Sequence, residues 1–258
     1  MIGLLVCSCR KTDFKPNVLV FAHAGMSLYE ERSVFPANSF EAIQYSVDVL
    51  GAEGVEIDIQ MTKDCVLVLY HDAFITTSPQ FNGCISDYNW DVVSGLKHNN
   101  SKYGICRLDT VLNYLVDRKV KIYLDLKPYS FCNKANRPLD IFASRIDSMM
   151  LNFDIEEKAL IIAGSLNREL LKNLNTLNKC IEAVDVDKVL KIAEQENFQY
   201  VMLPIRVIDE NTALRLIHSP FKWGVFGGKS NGEIRQTIAY KPDCFISDNV
   251  VFTQKITK

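Results

Sequence analysis

Three carboxylates lie inside apolar runs of the sequence. Glu56 and Asp58 alternate with aliphatic residues, and Asp125 does the same in a later run, with Lys127 two residues beyond it. Residues two apart on a β-strand point to the same side, so each pair would face one direction. Burying a carboxylate without a compensating charge is costly, and carboxylate oxygens are the ligands that Mg²⁺ and Ca²⁺ prefer. The pattern predicts a site for one divalent cation, Mg²⁺ or Ca²⁺.

Two histidines stand at the ends of neighbouring apolar runs. His23 directly follows the run 18–22, and His71 follows the run 66–70. An imidazole has an ordinary pKa of about 6.5, so it accepts or donates a proton near neutral pH. Side by side with a cation site, the two histidines would supply the acceptor and the donor of an acid–base reaction.

The elements that would position these residues alternate along the whole chain. Helical segments separate most of the apolar runs typical of strands, which begin at Val18, Val55, Val120, Ala159, Cys180, Tyr200, Trp223 and Cys244. Eight such units in about 240 residues are what a (β/α)8 TIM barrel requires, and such barrels carry their active sites at the carboxyl ends of the strands. A doubly wound sheet is the alternative, but the first turn, His23-Ala-Gly, lacks a glycine-rich spacing.

No linker divides residues 18–258, so we predict that they form one domain. The stretch 75–106 is rich in turn residues and too long for an ordinary strand-to-helix loop, which predicts an insertion over one face of the barrel. Trp223, at the seventh strand, is a candidate wall of the substrate site, with a place in the core as the alternative.

The polar motifs, taken in order, resemble those of the glycerophosphodiester phosphodiesterase family. They are His23-Ala-Gly, Pro36-Ala-Asn38-Ser39, Glu56-Ile-Asp58, Thr62-Lys-Asp64, His71-Asp72 and Asp125-Leu-Lys127-Pro, followed near the end by Ile246-Ser-Asp248. Each motif alone is common, but the ordered set over residues 18–128 is specific. The resemblance implies a TIM barrel that hydrolyses phosphodiesters, with roles in glycerol or lipid metabolism.

The same resemblance assigns roles to single residues. Glu56, Asp58 and Asp125 would bind one divalent metal. His23 and His71 would be the base and the acid, in an order that the sequence leaves open with a preference for His71 as the acid. Lys127 would neutralise the phosphate.

Three positions depart from the family pattern. Ala24 stands where an arginine is common, Ala37 where a glutamate is common, and Asp125 where the third carboxylate is often glutamate. Loss of the arginine and glutamate together resembles the loss of an interacting pair, and a His-Ala-Gly branch with Asp-x-Lys exists among bacterial relatives. The metal ligands and both histidines remain, so we expect a hydrolase whose substrate contacts have changed.

Several functions therefore stay open at this stage. The first is hydrolysis of a glycerophosphodiester to glycerol phosphate and an alcohol. The second is a phospholipase C/D-like reaction on a lipid phosphodiester that forms a cyclic phosphate. The third, suggested by Ala24 and Ala37, is a non-catalytic envelope protein that binds phosphate or lipid. A sugar-processing barrel enzyme is disfavoured, because Glu56 and Asp58 lie two apart on one strand rather than across a substrate.

Charge and cysteine content limit the other partners and cofactors. Lysine plus arginine number 29 against 31 acidic residues, so no basic surplus predicts binding to nucleic acid. The eight cysteines form no Cys-x-x-Cys pair, which argues against a zinc site, and those after Cys9 are expected to be mostly reduced thiols. A small-molecule or lipid phosphodiester is the expected partner, and no protein partner can be inferred.

The amino-terminal sequence predicts where in the cell the protein lies. Residues 1–9 form a short apolar run that ends in Ser-Cys, followed by a polar stretch. This resembles the end of a bacterial lipoprotein signal with Cys9 as the lipidated residue, although a basic start is missing and the apolar part is short. A truncated or misplaced start would explain both departures. We expect residues 1–17 to be signal and tether and the protein to be anchored in the bacterial cell envelope, with a cytoplasmic location as the alternative.

Overall fold

Eight parallel strands close into a barrel in this computed structural model, which describes residues 17–75, 81, 83–98, 101–129, 139–176 and 178–258. The barrel strands are β1 (Leu19–Ala22), β2 (Gly54–Met61), β4 (Lys121–Leu126), β5 (Ala159–Gly164), β6 (Lys179–Glu182), β7 (Tyr200–Pro204), β8 (Lys222–Gly227) and β9 (Cys244–Ser247). Closure follows because β1 pairs in parallel with both β2 and β9. The predicted (β/α)8 barrel is confirmed, and the doubly wound alternative is wrong since that sheet would have open edges.

Helices cover the outside of the barrel, apart from one short helix, Trp90–Val93, that lies in the insertion. They are α1 (Phe40–Asp48), α2 (Trp90–Val93), α3 (Leu108–Leu115), α4 (Leu139–Asn152), α5 (Arg168–Lys172), α6 (Val186–Gln195), α7 (Glu210–Ile217), α8 (Asn231–Ala239) and α9 (Val250–Thr257). Polar residues begin several of them; for example, Ser39 Oγ accepts a hydrogen bond from the Ala42 amide at 3.2 Å, which starts α1 directly after a polar turn.

The interior of the barrel is apolar at its lower and middle levels. Large side chains from alternate positions of the strands fill it, namely Phe21, Tyr123, Ile162, Cys180, Met202, Cys244 and Ile246. Gly54 and Gly224 make room for them, because a Cβ at either position would overlap Phe21 or Cys244. A packed interior confines polar chemistry to the carboxyl ends of the strands.

The described parts of the predicted insertion pack beside β2. Strand β3 (Leu67–Leu69) runs antiparallel to the end of β2. Beyond it, residues of the insertion share a small core with β3, made of Val68, Tyr70, Ile75, Ile85, Val93, Leu96 and Ile105. This core places the insertion at the carboxyl end of β2, beside the predicted site.

Among the described cysteines, Cys65, Cys106, Cys180 and Cys244 are free thiols, as expected, whereas Cys84 is disulfide-bonded. Within the same described ranges, no helix has the length and apolar character needed to cross a membrane.

Candidate active site

The parallel pairing of β2 with β4 brings the three carboxylates together. Asp58 lies opposite Asp125 in the register, and Glu56 faces the same side two residues earlier. All three side chains are buried, and one oxygen atom from each lies within 4.8 Å of the others. The predicted cluster therefore exists at the carboxyl ends of two neighbouring strands.

Two residues that follow β1 hold the carboxylates in place. The Ala24 amide donates a hydrogen bond to Glu56 Oε2 at 2.7 Å. Asn38 Nδ2 donates to Asp58 Oδ2 at 2.7 Å, and the Asp58 amide donates back to Asn38 Oδ1 at 2.9 Å. Both Ala24 and Asn38 have positive φ, and the Asn38 amide bonds to the Ala24 carbonyl at 2.8 Å. The Pro-x-Asn turn thus positions Asp58, one of the predicted metal ligands.

The cluster carries more negative charge than its one lysine balances. Lys127 Nζ lies 2.7 Å from Asp125 Oδ2 and 3.4 Å from Asp58 Oδ1. Burial raises the pKa of both Glu56 and Asp125; the charge of Asp58 adds to the rise and the charge of Lys127 opposes it. Burial alone would raise the pKa of Asp58 too, but the charges of Lys127 and His71 outweigh it and lower that pKa. Asp125 Oδ1 has no hydrogen-bond partner among the described residues. Buried, crowded oxygens of this kind fit a divalent cation.

We expect metal to stabilise the fold more strongly at higher pH. The folded-state pKa of Glu56 lies above its ordinary value of 4.5, so between these two values the folded protein holds a proton that the unfolded chain has lost. In the absence of metal, this contribution to stability is lost as pH rises through that window. A divalent cation replaces the proton, so the rise in melting temperature caused by Mg²⁺ or Ca²⁺ should grow between pH 5 and pH 8. Scanning calorimetry of EDTA-treated protein measures it, and a shift independent of pH would contradict the expectation.

His23 lies beside the cluster and is fixed from behind by Asp248. His23 Nε2 lies 4.0 Å from Glu56 Oε2, and His23 Nδ1 lies 2.9 Å from Asp248 Oδ1. Asp248 in turn accepts hydrogen bonds from Ser27 Oγ at 3.3 Å and from the Leu28 amide at 3.0 Å. Burial would raise the pKa of Asp248, but the hydrogen bond and charge of His23 lower it. A carboxylate on Nδ1 leaves Nε2 facing the carboxylates, free to accept a proton.

Replacing Asp248 with Asn should impair this orientation while leaving the metal site intact. An amide can present its NH₂ group to Nδ1 and favour the wrong tautomer of His23. We expect kcat to fall by about 10² or more with metal affinity unchanged, and the acidic limb of the pH profile to move. A fall in metal affinity of the same size as the fall in kcat would show that Asp248 acts on the fold of the site instead.

His71 lies near Asp58 and is more exposed than His23. Its Nδ1 lies 2.9 Å from Asp72 Oδ1, and this hydrogen bond raises the pKa of His71. Gln60 Nε2 bonds to the carbonyls of Tyr70 and Asp72 at 2.8 Å each, and Tyr129 Oη bonds to the His71 carbonyl at 2.5 Å. The backbone around His71 is therefore held on both sides while its side chain, 40% exposed, remains accessible to a substrate.

Comparison with known proteins decides the family. The model of the Glycerophosphoryl diester phosphodiesterase family matches residues 31–202. The chain belongs to this family.

Individual relatives agree with this membership. A glycerophosphodiester phosphodiesterase of Bacillus altitudinis is 26% identical over 149 residues, which are 55% of this chain and 56% of that protein. The uncharacterized protein YqiK of Bacillus subtilis is 30% identical over 114 residues, covering 42% of this chain and 44% of that protein. The chain thus spans about half the length of the curated relatives it matches.

Solved structures share the fold over nearly the whole chain. A glycerophosphodiester phosphodiesterase from Parabacteroides distasonis has a TM-score of 0.74 at 19% identity, covering 94% of this chain and 98% of that one. An Oleispira antarctica phosphodiesterase, solved with the product sn-glycerol-3-phosphate, has a TM-score of 0.78 at 15% identity, covering 94% and 97%.

Trp223 lies in the core, the alternative that the sequence left open, and not in the wall of the substrate site. Trp223 lies near the amino end of β8, is 4% exposed and packs in the layer between the barrel and its helices. Phe226, three residues later, points to the opposite side of the strand, and its ring centre lies 6.4 Å from that of His23. The aromatic residue at the mouth of the barrel is therefore Phe226, since residues an odd number apart face opposite sides.

Glu182 is a further acidic group at the mouth of this glycerophosphoryl diester phosphodiesterase barrel that the sequence did not single out. It ends β6, on the wall across from β1. Burial, followed by the charge of Asp125, raises the pKa of Glu182 to about 7. Glu182 lies two residues after Cys180, which faces the barrel interior, so the alternation of the strand points Glu182 inwards as well. This alternation is the signal from which Glu182 could have been predicted.

Proposed function

We propose that the protein hydrolyses a phosphodiester, with glycerophosphodiesters as the substrate class, to give glycerol phosphate and an alcohol. The observation that carries the proposal is the buried cluster of Glu56, Asp58 and Asp125 with His23 and His71 near it, in a chain of this family. The named phosphodiesterases among its relatives support the same reaction class.

The metal requirement belongs to the proposal as well. Glu56, Asp58 and Asp125 would hold one divalent ion, Mg²⁺ or Ca²⁺, because their oxygens are buried, crowded and only partly neutralised by Lys127. When bound, the ion supplies charge stabilisation for the phosphoryl oxygens in the transition state.

The protein's own groups account for the proton transfers. His23 accepts the proton of the attacking hydroxyl at Nε2, and Asp248 stabilises the imidazolium that results. His71, whose pKa is raised by Asp72, donates its proton to the leaving alcohol as the phosphorus–oxygen bond breaks. Lys127 places a positive charge beside the carboxylates, where it also neutralises phosphate. Attack by water yields the monoester directly, whereas attack by a substrate hydroxyl yields a cyclic phosphate first.

The alanine at position 24 is compatible with catalysis. Its contact with Glu56 is made by the backbone amide, so the identity of the side chain does not affect this hydrogen bond. Glu56 is therefore held in place without an arginine at position 24, so Ala24 does not by itself favour the non-catalytic binding protein.

An assay of several diesters tests the proposed function. Glycerophosphocholine, glycerophosphoinositol, a lysophospholipid and bis-p-nitrophenyl phosphate are each incubated with the protein, with and without EDTA. We expect hydrolysis of at least one glycerophosphodiester that stops with EDTA. Hydrolysis of none would contradict the proposed function, and hydrolysis indifferent to EDTA would contradict the metal requirement.

We also propose attachment to the bacterial cell envelope through a lipid on Cys9, which lies outside the described residues. The disulfide at Cys84 supports an oxidising compartment. The full chain should fractionate with membranes and incorporate labelled palmitate, while a chain that starts at Arg10 should be soluble. A bacterial lipoprotein cysteine carries more than one acyl chain, so the effect should be large. A Cys9→Ser chain that still partitions to membranes would contradict lipidation at this residue.

A further inference from the structure

A cavity of about 660 Å³ opens beside His71. The loop before α1 lines the cavity with Phe35 and Ala37, and the insertion lines it with Lys102 and Tyr103. Cavities of this size accommodate ligands well beyond a three-carbon alcohol. The active site therefore has room for a larger group on the side of His71.

The position of His71 determines which half of a substrate would lie there. This step rests on the proposed function, in which His71 protonates the leaving alcohol. A general acid must lie within hydrogen-bond distance of the oxygen it protonates. Because His71 lines the cavity, the leaving alcohol would extend into it, away from the carboxylate cluster.

The lining indicates the chemistry of that alcohol. Phe35 and Tyr103 form an aromatic wall, with ring centres 5.4 Å apart at 72°. Ser33 and Ser101 also line the cavity; their hydroxyls donate to the carbonyls of Phe35 and Tyr103, and each oxygen can accept a further hydrogen bond from a hydroxyl of the ligand. Aromatic faces pack against the C–H faces of a ring, and hydroxyls bond to its oxygens.

The charges of the lining disfavour a cationic head group. Lys102 is exposed, with its Nζ 5.4 Å from the centre of the Tyr103 ring, so it already occupies the aromatic surface that a quaternary ammonium would need. Asp72 is the acidic residue among the described lining, and it is engaged by His71. His98 is kept uncharged, because burial lowers its pKa to about 4.

We propose that this cavity is the subsite for the leaving alcohol and that the alcohol is an uncharged cyclic polyol such as inositol or a hexose. Ala37 is a determinant of this specificity, because a longer side chain at its position would occupy the space of the ring.

Specificity measurements test the subsite. The kcat/KM of the full chain is measured for glycerophosphoinositol, glycerophosphocholine and lysophosphatidylinositol. We expect an inositol diester to be preferred over the choline diester by roughly tenfold or more. Faster cleavage of lysophosphatidylinositol than of glycerophosphoinositol would identify a lipid as the source of the inositol group. The reverse order would identify a deacylated diester as the source, and either order supports the subsite.

Variants locate the preference in the cavity. Ala37→Leu should reduce the inositol-to-choline ratio to near one, whereas Ala239→Leu, the same change at an exposed position of α8, should leave it unaltered. A ratio near one in the unmodified protein, or a ratio that Ala37→Leu does not change, overturns the subsite while diester hydrolysis itself stands. If no diester is hydrolysed, the proposed function fails, and titration calorimetry of glycerophosphoinositol against glycerophosphocholine then decides the subsite alone: tighter binding of the inositol diester supports it, and equal or no binding overturns it.

Discussion

Glu56→Gln is expected to abolish the dependence on divalent metal together with most of the phosphodiesterase activity. The amide keeps the shape of the side chain and can still accept the hydrogen bond from the Ala24 amide, but it removes one of the three proposed anionic ligands. A bound metal contributes several kcal/mol to transition-state stabilisation, and each 1.36 kcal/mol is a factor of ten, so we expect a loss on the order of 10³ in kcat/KM.

Stability should not fall in this variant. Removing a charge from a crowded, buried cluster relieves repulsion, so the melting temperature of the metal-free protein should be unchanged or higher. Glu53→Gln is the matched control, because Glu53 lies three residues earlier, is exposed and pairs with Lys258 at 3.1 Å. Full activity in Glu56→Gln, or an equal loss in Glu53→Gln, would contradict the assignment of Glu56 as a ligand.

Replacing either histidine should reduce turnover, and the size of the reduction should depend on the substrate. His23→Ala and His71→Ala should each reduce turnover by about 10²–10⁴, the usual size of one acid–base contribution. An aryl phosphodiester has a leaving group that needs little protonation, so it should rescue the variant that lacks the acid and leave the variant that lacks the base impaired. We expect rescue in His71→Ala, because Asp72 raises the pKa of His71 and keeps it protonated.

The pH profile and the double variant complete this test. The rate should follow a bell-shaped curve, and the alkaline limb should lie above pH 6.5 because the pKa of His71 is raised. The losses in the double variant should be far from additive, since both residues act on one transition state. Equal impairment on activated and unactivated substrates in both single variants would mean that neither histidine transfers a proton.

The strands could be predicted from the sequence because buried parallel strands are continuous apolar runs between helices. Helix α9 could not, because its buried positions include Thr253, Gln254 and Thr257, whose polarity hides the apolar face. Helix α5 is shorter than the helical pattern of residues 167–177 in the sequence indicates, since it ends at Lys172. Runs of apolar residues thus predict the barrel well and the ends of its helices poorly.

The site was predictable where a single strand carries it. Glu56 and Asp58 share one strand, so their common direction follows from alternation. The contact of His23 with Asp248 joins the first strand to the last across 225 positions, and only closure of the barrel creates it. The sequence did not show which residues of β8 face the inside of the barrel, so it could not exclude Trp223 from the site. In the structure Phe226 faces the inside and Trp223 does not.

The most direct test of the central claim is a ³¹P NMR time course of a glycerophosphodiester with the unmodified full chain. We expect the diester resonance to be replaced by that of glycerol phosphate in the presence of Mg²⁺ or Ca²⁺, to stop changing when EDTA is added, and to resume when the metal is restored. A cyclic phosphate resonance that rises before the monoester would identify a substrate hydroxyl as the nucleophile. A diester resonance that stays constant with metal present, or decays equally in EDTA, would contradict a metal-dependent phosphodiesterase built on Glu56, Asp58 and Asp125.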